Sequence, residues 1–264
     1  MTQGKYIYGI MDTSEEKYYN LKGIGNEGST VHSLSFEDVA ALVSDSPVKE
    51  YPISRENTLK HMKILERFMD DRTFLPVKFG TVAVGNGSRN SEERIKMEVL
   101  KARYSEVKKL LGHLRNKVEL GLKAIWPEKE MIFKEIVEEN KDIQKLKEKI
   151  SSKGVNQTYK ERIKLGRMVK DALDKKRTEE EKKIIKAFQG LYWDLRFNKK
   201  FGDKMVTNTA FLVPEDKLKD FDKKIEELDS MYKGEMRFQY IGPVPPCNFV
   251  ELVVKLEEGQ SGAH

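Results

Sequence analysis

Lys5-Tyr-Ile-Tyr-Gly-Ile-Met11 decides how the first half of this chain is read. Its aromatic and β-branched residues suit a pleated, half-buried surface, so the stretch predicts a strand. Working outward, Ser14–Asn20 is polar and predicts one or two helical turns, while Thr30–Leu34 and Val39–Ser44 predict two strands joined by Ser35-Phe-Glu-Asp38. Arg55–Asp70 predicts a helix, with Leu59, Met62, Leu65 and Met69 recurring at spacings of three and four, and Phe74–Val84 predicts a buried strand. Strand, short helix, two strands, helix, strand is the βαββαβ order of a ferredoxin-like domain.

Ser91–Leu111 predicts a helix with two apolar stripes, Ile95, Val99, Ala102 and Leu110 on one side and Met97, Leu100, Tyr104, Val107 and Leu111 on the other. At 100° per residue their centres lie roughly 140° apart, which predicts an element covered on two sides and placed between domains. Val118–Trp126 predicts a strand ended by Pro127. Residues 128–197 are charged and helical in pattern, and Ile132, Ile136, Ile143, Leu146 and Ile150 keep a heptad-like spacing before a break at Ser151-Ser-Lys-Gly154. A second helix carrying Ile163, Val169 and Leu173 would fold back on it. Thr178-Glu-Glu-Glu181 has the capping-box pattern and predicts a new helix start, with Ile184, Phe188, Leu191 and Leu195 on one face. Strands over Met205–Val213, Glu235–Ile241 and Phe249–Leu256 and a helix over Pro214–Met231 complete the pattern. The expected fold is therefore mixed α+β. It has a ferredoxin-like domain over residues 1–112, including the connecting helix 91–111, and a C-terminal α/β domain over 113–264 with a long helical hairpin or coiled-coil excursion at 128–197.

The chain has 264 residues, 38% hydrophobic and 35% charged, which implies modest cores and extensive exposed helical surface. Its formal charge of +6 is spread along the sequence instead of gathered in a basic arm, against the pattern expected of a polyanion binder. Cys247 is the only cysteine, so no intramolecular disulfide can form and a reducing, cytoplasmic setting is expected. No signal-like or membrane-spanning apolar run is present in the sequence.

Chemical motifs are sparse. Gly23-Ile-Gly-Asn-Glu-Gly28 matches a dinucleotide-binding string, but a strand-like segment follows where a helix is required, so a glycine-rich loop is expected and a nucleotide sensor is the lesser reading. The histidines at 32, 61, 113 and 264 lack metal-ligand spacing, and His61 is expected at the surface or partly buried. With no G-x-S-x-G elbow, no catalytic residue, metal or cofactor is assigned, and the expectation is a protein that is not an enzyme. The alternative is an RNA-binding module in which Tyr6 and Tyr8, on one strand face, stack bases. Against it, Val77-Lys-Phe-Gly-Thr-Val-Ala-Val84 departs from the aromatic pattern of such domains.

Five separated segments resemble the gas vesicle accessory proteins of the F/L family: Tyr6-Ile-Tyr-Gly-Ile10, Leu42-Val-Ser-Asp45, Leu75-Pro-Val-Lys-Phe-Gly-Thr81, Asn208-Thr-Ala-Phe-Leu-Val213 and Ile241-Gly-Pro-Val-Pro-Pro-Cys-Asn-Phe-Val250. The family commonly has an aromatic residue where Cys247 stands and often tryptophan where Val244 stands, which leaves the F and L branches open. The resemblance implies a cytoplasmic, gas vesicle-associated assembly factor or minor vesicle component, without nucleic-acid or membrane partners. It would bind the hydrophobic major gas vesicle shell protein, limit its aggregation during nucleation, and meet other gas vesicle accessory proteins. The motif residues Tyr6, Tyr8, Gly9, Leu75, Pro76, Lys78, Phe79, Gly80, Phe211, Gly242, Pro243, Pro245, Pro246 and Phe249 are expected to serve the framework. Pro76 suits a strand edge, Gly80 and Gly242 suit bends, and the three later prolines hold the chain extended between strands.

Overall fold

The computed structural model describes residues 4–24, 29–47, 50–70, 72–152, 158–250 and 252–254. Among the described residues the fold is mixed α+β with two sheets. The chain clusters into two compact units, one of residues 1–119 with 243–264 and the other of 120–242, whereas the sequence pattern places the division at 112/113.

In the first unit β1 (Gly4–Met11), β2 (Tyr18–Lys22), β3 (Thr30–Phe36), β4 (Val39–Ser46) and β5 (Phe74–Pro76) lie in the order β2-β3-β4-β1-β5, and β6 (Val82–Ala83) also pairs with β1. All eight residues of β1 are buried, as a central strand requires. The pairs β3–β4, β4–β1 and β1–β5 are antiparallel. The order β3-β4-β1-β5 is the one a split βαβ arrangement produces.

The first helix of that arrangement is not found at Ser14–Asn20. Tyr18–Lys22 is instead β2, on which exposed Tyr18, Asn20 and Lys22 alternate with half-buried Tyr19 and Leu21, packed against the core. This period of two competes with a short polar helix that has little to bury. The expected strand Phe74–Val84 is likewise divided into β5 and β6, because Gly80 at φ +84 turns the chain between them.

Helix α1 (Arg55–Met69) starts at Ser54, whose side chain accepts the Asn57 N–H. It buries His61, Ile64, Leu65 and Phe68. The buried face is therefore rotated from the expected stripe, leaving Leu59 48% exposed and His61 only 4% exposed.

Ser91–Leu111 is not one two-faced helix. It comprises α2 (Ser91–Arg94), a π-helical segment (Ile95–Lys101) and α3 (Tyr104–Leu114). The wider turns, such as Ala102 N–H to Met97 O, shift the helical phase, so Ile95, Val99 and Leu100 are buried before the break and Val107, Leu111 and Leu114 after it. Two stripes arise from two successive phases, while Met97 and Ala102 stay exposed. Buried Arg94 anchors the segment through bonds to Glu98 and to Val84 O at 2.8 Å.

In the second unit β7 (Lys117–Ile125), β8 (Asp194–Phe197), β9 (Met205–Pro214) and β10 (Arg237–Val244) form a sheet ordered β10-β7-β9-β8. β7 and β10 begin or end a few residues inside the first unit's range. Helices α4 (Lys129–Glu139) and α5 (Lys141–Ser151) are separated at Asn140, which has an extended backbone. Helix α6 (Tyr159–Ala187) returns along them, with Lys176 paired to Glu135 at 2.5 Å and Lys149 to Glu161 at 3.8 Å. From the heptad-like set Ile136, Ile143 and Ile150 are buried.

No helix starts at Thr178. It lies inside α6, where its hydroxyl donates to Asp174 O at 2.8 Å, and a capping sequence within a long helix simply bonds back one turn. Phe188 ends α6 in the core, but Leu195 belongs to β8, a strand too short to register in the sequence pattern. Helix α7 (Leu218–Tyr232) follows a turn of 3-10 helix at Glu215–Lys217. Of the expected last strand, Phe249–Leu256, the described residues form one parallel bridge, Leu252 to Val77; residues 251, 255 and 256 lie outside the described set.

Candidate functional site

The N-terminal motif residues converge inside the first unit. β1 carries an extra residue between Ile7 and Gly9 relative to β4, and this bulge at Tyr8 brings Tyr6 and Tyr8 together with ring centroids 4.8 Å apart. Both rings are fully buried, beside His61 of α1. The Tyr6 hydroxyl accepts the Gly80 N–H at 2.9 Å and is hydrogen-bonded to His61 Nδ1 at 3.0 Å, with the imidazole tautomer setting which of the two donates. The Tyr8 hydroxyl accepts the Ile24 N–H at 2.7 Å and meets Ser44 Oγ at 2.8 Å.

Burial raises the Tyr6 hydroxyl well above the usual phenol range and pushes Tyr8 up to about 12, so both stay neutral. Burial also lowers His61 to about 4, leaving a neutral imidazole at pH 7. These rings cannot serve as a base-stacking platform, because stacking needs exposed faces. The RNA-binding reading of Tyr6 and Tyr8 is corrected accordingly.

The Leu75–Thr81 motif wraps this cluster. Leu75 and Pro76 are buried, Val77 N–H donates to Tyr8 O, and the half-buried Phe79 ring stands edge-on to Tyr6 and His61. Lys78 is exposed. Gly9 has no room for a side chain: a Cβ there would sit 2.3 Å from the Phe74 ring and 2.6 Å from Leu75 O.

The remaining motif residues lie elsewhere. Phe211 of β9 is in the core of the second unit, packed with Phe188 and Phe221. Gly242 adopts φ 140 within β10 and Pro243 is exposed, while Pro245 and Pro246 are buried and Phe249, half-buried, donates its N–H to Pro246 O. The turn is fastened by a residue that no sequence motif singles out. Glu119, 4% exposed, accepts the Asn248 N–H at 2.9 Å and the Asn248 side-chain amide. Burial raises the Glu119 carboxyl and the two Asn248 donors oppose that rise. A signal for it does exist in the sequence: one acid in the apolar strand Val118-Glu-Leu-Gly-Leu122.

Gly25–Gly28 of the glycine-rich string lie outside the described residues. Gly23 follows β2, and a Cβ there would sit 2.4 Å from Ser44 Oγ, so this glycine answers to packing.

The second unit has a groove of about 630 Å³ lined by Trp126, Met131, Ile132, Met236, Glu135 and Lys176, among others. Met131, on α4, is 61% exposed. No helix among the described residues is long and apolar enough to cross a membrane.

Residues 4–251 match the family model described as "Gas vesicle synthesis protein GvpL/GvpF". The chain belongs to the GvpL/GvpF family. It is similar to gas vesicle protein F of Dolichospermum flosaquae, 23% identical over 249 residues, covering 94% of this chain and 97% of that one. Gas vesicle protein F1 of Halobacterium salinarum is 23% identical over 265 residues, covering 99% of this chain and 100% of its own. The fold matches the crystal structure of GvpF from Anabaena sp. PCC7120 with TM-score 0.78 and 22% identity, over 96% of this chain and 100% of that one. GvpF from Microcystis aeruginosa gives TM-score 0.72 and 22% identity, over 93% and 98%. Membership of the GvpL/GvpF family places the chain's role in gas vesicle formation, and the family's name specifies no reaction.

Proposed function

We propose that this GvpL/GvpF member is a non-enzymatic assembly factor that binds the hydrophobic major gas vesicle shell protein and limits its aggregation while a vesicle nucleates. The observation that carries this reading is the family match over residues 4–251. A subunit rich in exposed apolar surface self-associates in water unless that surface is covered. The cover proposed is the groove of the second unit. Its lining combines Trp126, Ile132 and Met236, with exposed Met131 at the rim, and charged residues such as Glu135, Glu138 and Lys176, so it offers apolar contact together with polar anchors. The motif residues then act as framework: Tyr6, Tyr8 and Gly9 are internal, and Pro245 and Pro246 set a turn tied to Glu119. The protein works in the cytoplasm, stays with the vesicle as a minor component, and meets other accessory proteins there.

Co-expression with the major shell protein should yield a soluble complex that survives gel filtration, and M131E should weaken capture, because a charge at the rim is costly to bury. Equal pelleting of the shell protein with and without this chain would reject the reading.

A further inference from the structure

Strand β8 ends the order β10-β7-β9-β8. It pairs antiparallel with β9, from Asp194 opposite Leu212 to Phe197 opposite Thr209. Asn198 donates its N–H inward to Asn208 O at 2.7 Å, and antiparallel pairs alternate, so Asp194 and Arg196 turn their main-chain groups to β9 while Leu195 and Phe197 turn theirs outward. An edge strand must cover or pair such groups. In the single chain Leu195 is covered by its neighbours: its N–H donates to Asp194 Oδ1 at 2.8 Å and its C=O accepts from Arg196 Nη1 at 3.1 Å. Asp194 and Arg196 also pair with each other at 3.0 Å. The rings of Trp193 and Phe197 flank this clip, 64% and 57% exposed.

Trp193-Asp-Leu-Arg-Phe197 is self-complementary about Leu195. Laid antiparallel against a second copy with the two Leu195 residues opposite, Asp194 meets the partner's Arg196 and Arg196 meets the partner's Asp194. Trp193 donates its own N–H inward to Leu212 O at 2.7 Å, so it brings only its ring towards the partner's Phe197 and the main-chain pairing centres on Leu195. The charged pairs fall at the non-hydrogen-bonded positions, where side chains approach most closely, and the outward groups of Leu195 bond to those of its counterpart. A slip of two residues would place Asp194 against Asp194 or Arg196 against Arg196, so charge also fixes the register.

We propose that β8 is a self-association strand, through which two copies of this chain join their second sheets edge to edge about a two-fold axis at Leu195. The occupant is a second copy because a foreign strand would need the same aromatic, acidic and basic order reversed, and this strand supplies it by symmetry. The intrastrand Asp194–Arg196 clip covers the edge in the monomer and opens to pair across it in the dimer.

The test is sedimentation equilibrium of the full chain at low salt, from micromolar to millimolar concentration. The wild type should dimerise. D194R and R196D should each weaken dimerisation at least about tenfold, about 1.4 kcal/mol, because each sets two like-charge pairs across the axis. An equimolar mixture of D194R and R196D should regain association as a heterodimer, and the doubly swapped D194R/R196D chain should dimerise with itself. A monomeric wild type at every concentration overturns the proposal. So do single variants that dimerise like the wild type, or a mixture and a double swap that both stay monomeric.

Discussion

His61 offers a prediction whose size follows from its surroundings. The imidazole is 4% exposed, packed against Tyr6, Tyr8 and Phe79, and its Nδ1 faces the Tyr6 hydroxyl. Burial lowers its pKa from 6.5 to about 4 in the folded state. Between those values the unfolded chain binds the proton and the folded chain does not, so stability is complete above pH 6.5 and falls as pH drops towards 4. At about 1.4 kcal/mol per pH unit the loss across the interval is about 3 kcal/mol. H61L removes the titrating group and with it this slope, while the carboxylates common to both proteins contribute equally. The assay is the urea midpoint at about pH 7 and about pH 4.5, read by hydrogen exchange of β1 and α1 peptides so that the second unit does not enter the signal. Wild type should lose about 2–3 kcal/mol more than H61L over that range. Equal losses would refute the buried, neutral histidine.

Gly9→Ala would press a methyl group into the Phe74 ring and Leu75 O, at 2.3 and 2.6 Å. Overpacking outweighs the gain from a stiffer unfolded chain, and thermal unfolding should show a net loss of about 2 kcal/mol. Two substitutions in α6 should bring no such loss. T178A should leave stability within about 0.5 kcal/mol in urea unfolding, since a residue inside a helix caps nothing, whereas loss of a true N-cap would cost about 1 kcal/mol. Gly166→Ala, at a helical position where an added methyl group would meet nothing within 4 Å, should stabilise by about 0.5–1 kcal/mol in the same measurement.

The fold class and most elements were legible because β1 and β4 are rich in apolar and aromatic residues and the long helices carry repeating apolar positions. β1, β3, β4, α1 and β7 fall close to their expected bounds. What escaped was governed by tertiary context. Tyr18–Lys22 is a strand because β3 is there to pair with it, and the π-helical turns at Ile95–Lys101 change phase without a residue type that announces them. Thr178 carries a capping pattern that α6 runs through. Within the motif clusters, the aromatic residues and glycines were visible in sequence, as were Ser44 and Asn248 inside their segments, but the pairings of Tyr6 with His61, Tyr8 with Ser44 and Glu119 with Asn248 were not, since each joins residues distant in the chain. Burial of Tyr6 and Tyr8 likewise could not be separated from exposure by alternation alone, because β1 is covered on both faces.

The most direct measurement of the central claim is light scattering as denatured major shell protein is diluted into buffer with increasing amounts of this chain. Scattering should fall with each addition and reach its floor at a fixed molar ratio, with M131E requiring more protein to do so. Scattering that is unchanged at every ratio would contradict the claim.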